Sequence, residues 1–162
     1  MPFLRVADYN KFGISKPEKK LSDNFCNDNK QLINSLKPKK ETILFSKDGS
    51  VGTAYMLRED ADFITSGAIV HLTVNNKKVL PQYLALALNS EATRQQAERD
   101  AGGSIILHWR KEEIEKVVIP IINNETQQEI AKLIEKSFSL RQESEQLLNK
   151  AKEKVEKEIM RQ

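Results

Sequence analysis

From Thr126 to Gln162 the chain contains neither glycine nor proline, and this stretch constrains the fold more than any other. Thr126 and Glu129 have the T-x-x-E spacing of a capping box. A helix starting there runs for about 35 residues, roughly 50 Å at 1.5 Å per residue. Leu133, Ser137, Leu140, Ser144, Leu147 and Ala151 follow alternating four- and three-residue steps, and Leu148, Val155 and Ile159 extend the stripe along the same side. Lys and Glu fill the other faces. That is a coiled-coil seam, and it projects too far to be merely a covering helix, so it calls for a partner helix. Residues 123–162 are expected to form this pairing helix and residues 1–122 a globular domain.

The preceding chain reads as α+β. Thr42-Ile43-Leu44-Phe45-Ser46 is a buried strand running into the turn Lys47-Asp48-Gly49-Ser50, and Asp-Gly between apolar runs marks a hairpin. Gly52 to Leu57 is the return strand. Phe63-Ile64-Thr65 and Ala68 to Val74 add two strands, split by Ser66-Gly67. A helix opens at Pro81, where a first helical position tolerates proline, and a second covers Glu91 to Arg99. Ala101-Gly102-Gly103-Ser104 breaks the chain. Ile105-Ile106-Leu107 is expected as a strand, Lys111 to Glu115 as a turn, and Lys116-Val117-Val118-Ile119-Pro120 as a last strand. Residues 1–40 look loop-rich, with a short strand around Leu4 and Val6.

A body of about 120 residues buries a sufficient core without a disulfide or metal staple. The single cysteine, Cys26, forms no internal disulfide and fits a reducing, cytoplasmic setting. The N-terminal residues are too short and too charged for a signal peptide, and no run of about 18 apolar residues spans a membrane. Charge is uneven: residues 1–40 carry nine Lys/Arg against four Asp/Glu, whereas residues 117–162 balance eight against eight. A basic N-terminal third suits a polyanion through phosphate contacts, although a lysine-rich face is more often simply solvated.

The residues supply no catalytic constellation. His71 and His108 are far apart in sequence and lack ligand spacing, and His71 fits a hydrogen-bonded structural role in a strand. Gly102-Gly103-Ser104 is not followed by a phosphate-loop signature. Two segments suit nucleic acid instead. The hairpin tip Ser46-Lys47-Asp48-Gly49-Ser50 can enter a major groove, where Lys and Ser bond base edges or phosphates. His108-Trp109-Arg110-Lys111 interleaves aromatic and basic groups, so Arg pairs with guanine and Trp stacks or wedges. The competing reading is that Trp109 closes the core while Arg110 and Lys111 are solvated. The DNA-contact candidates are Lys11, Lys47, Ser50, Trp109, Arg110 and Lys111, with Lys19, Lys20, Lys39 and Lys40 as phosphate contacts on charge alone.

The order and spacing of several short stretches resemble the target-recognition domain and conserved helix of type I restriction–modification specificity subunits. They are Thr42 to Gly52, Ile64-Thr65-Ser66-Gly67, Leu80-Pro81-Gln82-Tyr83-Leu84, Leu88-Asn89-Ser90, Gly102-Gly103-Ser104 and Val118-Ile119-Pro120 before Gln127-Gln128. The resemblance implies a mixed α/β recognition domain that contacts double-stranded DNA through loops, joined to a long helix. It implies no catalysis and no cofactor of the chain's own. The implied partners are a methyltransferase (modification) subunit using S-adenosylmethionine and a restriction subunit. The family's proline-rich run is reduced to Ile119-Pro120-Ile121, and the segment normally preceding Leu4-Arg5-Val6-Ala7-Asp8 is absent, as is a second recognition domain. The chain is therefore expected to act as a C-terminal part or half-subunit, pairing with a like chain through Leu133, Leu140, Leu147, Leu148, Ala151, Val155 and Ile159. A scaffold that binds the methyltransferase subunit without reading DNA is the main rival, and a self-sufficient methyltransferase or nuclease the third.

Overall fold

A computed structural model describes residues 1–103, 105 and 107–161. Its centre is β4 (Ile43–Ser46), buried at every position. Alternate side chains of a strand face opposite sides, so a run buried throughout needs cover on both. On one side Ile43 and Phe45 pack with Ala54, Met56, Ala85, Leu88, Ala97 and Trp109. On the other, Leu44 joins Leu4, Tyr9, Leu57, Phe63 and Ile69.

β4 pairs antiparallel with β5 (Ala54–Met56) and with β7 (Ile69–Leu72), giving the order β5-β4-β7. Two smaller pairings complete the β structure: β1 (Phe3–Leu4) lies parallel to β6 (Ile64–Thr65), and β2 (Tyr9–Asn10) pairs antiparallel with β3 (Gly13–Ile14). The first face of the sheet is covered by α3 (Pro81–Leu88), with proline in its first turn, and α4 (Glu91–Asp100). Asn89 ties α3 to β5: Ala54 N–H donates to Asn89 Oδ1 at 3.1 Å, and Asn89 Nδ2 donates to the carbonyls of Ala54 and Ala85, both at 2.8 Å.

Four expectations need correction. Residues 22–36 are not loop but two short helices, α1 (Asp23–Asp28), capped by Ser22 Oγ accepting from Phe25 N–H, and α2 (Lys30–Leu36). Lys116 to Pro120 is not a strand. Its backbone is satisfied by side chains instead: Val118 N–H donates to Gln96 Oε1 at 2.9 Å, Gln96 Nε2 donates to Val118 O at 3.0 Å, and Tyr83 Oη donates to Pro120 O at 2.5 Å. The expected strand at Ile105-Ile106-Leu107 falls partly outside the described residues; Ile105 and Leu107 are not in strand. The turn expected at 111–115 is a single helical turn, α5 (Lys111–Ile114).

The long helix, α6, spans Asn124–Ile159. It begins earlier than the Thr126–Glu129 box proposes, because Asn123 is the N-cap and its Oδ1 accepts from Thr126 N–H at 2.9 Å. Its root is locked by Gln127, whose side chain is fully buried. Leu80 N–H donates to Gln127 Oε1 at 2.9 Å, and Gln127 Nε2 donates to Lys78 O and Ile122 O at 2.9 and 2.8 Å. Further along, Tyr55 meets Phe138 edge-on at 6.1 Å, and Arg58 pairs with Glu135 at 2.7 Å. Beyond Arg141 every described helix residue is exposed. No helix among the described residues is long and apolar enough to cross a membrane.

Candidate nucleic-acid interface

The loop from Lys47 to Thr53 carries the chain from β4 to β5. It is longer than a two-residue hairpin turn and needs glycine twice. Gly49 has φ +77° and Gly52 φ +83°, backbone geometry that side-chain-bearing residues adopt only at a cost. At Gly52 a Cβ would also come against Ala97 and Trp109, at 3.8 and 3.9 Å.

Sixty residues later the chain returns to this loop. Gly49 N–H donates to Leu107 O at 2.8 Å and Trp109 N–H donates to Lys47 O at 2.7 Å. His108 also exchanges backbone hydrogen bonds with Gly102, at 3.1 and 2.8 Å. The two segments nominated from sequence therefore form one surface, with Lys47, Ser50, Arg110 and Lys111 around it. Ser50, Arg110 and Lys111 are exposed and Lys47 is half-buried.

Trp109 anchors this arrangement from beneath. Its side chain is only 1% exposed and its ring lies 5.6 Å from that of Phe45. It closes the core, as the competing reading had it, and is not placed to stack on or wedge between bases. Four other candidates lie apart from the loop cluster. Lys11 Nζ sits 5.0 Å over the ring of Phe12, beside a groove of about 490 Å³ between β5, α3 and α6. Lys39 pairs with Asp60 at 3.1 Å, while Lys19 and Lys20 flank β1 as exposed residues.

The loop-cluster cations are held by local carboxylates. Lys47 Nζ lies 2.7 Å from Asp48 Oδ2. Glu113 accepts from the Arg110 backbone N–H at 3.0 Å, from Nε at 3.0 Å and from a guanidinium NH₂ at 2.5 Å. Lys111 approaches Glu115 at 3.5 Å. Asp48 makes a further bond that spacing did not foreshadow: its Oδ1 lies 2.9 Å from His108 Nδ1. Burial pushes the Asp48 carboxyl up, but hydrogen bonds from Lys47 and His108 more than reverse this, so it sits below its ordinary range. The exposed pair at Lys111–Glu115 contributes about 0–1 kcal/mol, so exchanging that carboxylate for a phosphate costs little.

His71 bonds Thr65 Oγ1 through Nε2 at 2.9 Å in β7, and burial lowers its pKa. Among the described residues no group of three or more His, Cys, Asp or Glu could hold a metal ion. Asn89, half-buried, and Gln127, buried, are the amides that fix α3 and α6, and no periodicity argument selects them. Only their place in Leu88-Asn89-Ser90 and Gln127-Gln128 singled them out.

Residues 1–155 match the family described as Type I restriction modification DNA specificity domain. Among curated proteins none matches. A crystal structure of a Type-I restriction-modification system S subunit from M. genitalium shares the fold, with a TM-score of 0.53 and 18% identity over 93% of this chain. This chain covers 33% of that one, so it spans about a third of its length. Taken with the mixed α/β body and the long terminal helix, the family match settles membership: the chain belongs to the type I restriction modification DNA specificity domain family.

Proposed function

We propose that this chain reads a DNA sequence for a type I restriction–modification complex and leaves catalysis to its partners. The observation that carries the reading is the convergence of the 47–52 segment with Gly102 and the 107–111 segment on one surface, fixed by backbone hydrogen bonds and underpinned by Trp109. Lys47, Ser50, Arg110 and Lys111 supply phosphate and base contacts there. The methyltransferase subunit, using S-adenosylmethionine, and the restriction subunit supply the chemistry.

Pairing through α6 completes the reader. Leu133, Leu140, Leu147, Leu148, Val155 and Ile159 are all more than half exposed, and Ala151 is exposed between them. An apolar stripe of this length along a projecting helix favours a second copy, in an isologous pair that sets two recognition domains apart.

The carboxylates that occupy Lys47, Arg110 and Lys111 favour a second reading, a scaffold that binds the methyltransferase subunit without useful DNA affinity. One experiment separates the two. The chain is co-purified with the methyltransferase subunit and challenged with random duplexes at several salt concentrations. A reader enriches a split motif and loses affinity steeply as salt rises. A complex that forms but enriches nothing overturns the reading in favour of the scaffold.

A further inference from the structure

Lys47 and Arg110 both have their charges engaged by neighbours within the cluster, but His108 has a ring nitrogen to spare. Its side chain is 62% exposed. Nδ1 lies against Asp48 Oδ1, and among the described residues Nε2 has no hydrogen-bond partner. An ionised carboxylate only accepts hydrogen bonds. Nδ1 must therefore carry a proton whether the ring is neutral or charged, and the charge state is expressed at Nε2 alone. In the neutral ring Nε2 is an acceptor; in the imidazolium it is a donor.

The edges of bases in the major groove differ in this same property. Adenine N6 and cytosine N4 donate, whereas guanine N7 and O6 and thymine O4 only accept, and adenine N7 accepts as well. Resting on the reading of the loop cluster as a DNA surface, we propose that His108, oriented by Asp48, reads one base of the target. With the ring neutral it selects adenine or cytosine, and with the ring protonated it turns to guanine or thymine and refuses cytosine.

The groups that bear on this ring come from three places. Lys47 and Asp48 belong to the β4–β5 loop, while Arg110, Lys111 and Glu113 follow on the ring's own segment. Asp100, at the end of α4, acts on Glu113. Gly102, which pairs with the His108 backbone, brings no charge. Asp48 stays ionised as pH falls toward 6 because its carboxyl is held below its ordinary range, so the Nδ1 contact persists in either state of the ring.

The test is selection from random duplexes by the full chain with its methyltransferase subunit, at about pH 8 and about pH 6, the range over which histidine side chains in general change charge. One position of the motif is expected to shift from adenine or cytosine toward guanine or thymine, by about fivefold in relative frequency, the worth of one net hydrogen bond. His108→Phe removes the preference at that position at both pH values and leaves the rest of the motif. Asp48→Asn offers Nδ1 an amide that can donate as well as accept, freeing the tautomer, so guanine is already tolerated at about pH 8. A motif identical at both pH values in the unmutated chain overturns the proposal without depending on how any variant folds, as does an unchanged motif with His108→Phe. Failure of the unmutated chain to enrich any motif removes the DNA-reading function itself, and this inference with it.

Discussion

Trp109 shows how a residue nominated for binding can serve the surface from below. Its indole fills the space between Phe45 and Gly52, and among the described residues its Nε1 has no hydrogen-bond partner. Trp109→Ala is expected to cost about 3–5 kcal/mol as a large buried ring is lost. Trp109→Phe should cost far less, because no hydrogen bond is broken; denaturant midpoints measure both, and equal losses would show that the N–H matters after all. Asp8 gives the pH dependence. A bifurcated set of bonds from the Arg5 side chain and backbone holds its carboxyl below the ordinary range. A group whose folded pKa is depressed stabilises above its unfolded value and loses that contribution as pH falls through the folded one. The stability difference between the unmutated chain and Asp8→Asn should therefore be full at neutral pH and shrink in acid below the usual carboxylate range, as urea titrations at stepped pH would record.

At the scale of elements, the sequence was most legible where one physical demand dominated. β4 is readable because Ile43, Leu44 and Phe45 are all buried, and an uninterrupted apolar run says so. α6 is readable because nothing in 126–162 breaks it. Val117 to Pro120 misled because its apolar residues suit a strand, but the amide of Gln96 and the hydroxyl of Tyr83 take the place of a neighbouring strand. α1 and α2 escaped notice because Asn27, Asp28 and Asn29 are turn formers and only Ile33 of these helices is buried. Gln127 belongs to this scale, since it joins α6 to two other segments. Gln127→Leu leaves Leu80 N–H and the carbonyls of Lys78 and Ile122 without their partner, and a loss of about 3 kcal/mol is expected. Hydrogen exchange at Leu80 should quicken more than exchange within β4; uniform quickening would mean that the lock is not local.

At the scale of the whole molecule, the recognition body and the exposed half of α6 are separable in what they stabilise. Replacing Leu140, Leu147, Leu148 and Val155 together with glutamate should leave the thermal transition of the body in place and abolish pairing. Light scattering at high concentration would report a dimer for the unmutated chain and a monomer for the variant; an unmutated chain that stays monomeric counts against pairing through α6. The candidate interface was legible only in part for a related reason. Sequence spacing nominated the two loops, but their convergence depends on backbone bonds across sixty residues, and the Asp48–His108 contact exists only once that convergence is made.

The buried amide at the foot of α6 also has a mechanical meaning. A helix root held by apolar contact alone can slide by fractions of a turn, whereas three directional hydrogen bonds at Gln127 give it a bearing. Over roughly 50 Å of helix, a tilt of about 5° at the root displaces the far end by about 4 Å, more than one base-pair rise. If two copies pair through α6 as proposed, angular stiffness at Gln127, with the contacts at Glu135 and Phe138, bears on how finely their two bodies are held in phase along a duplex.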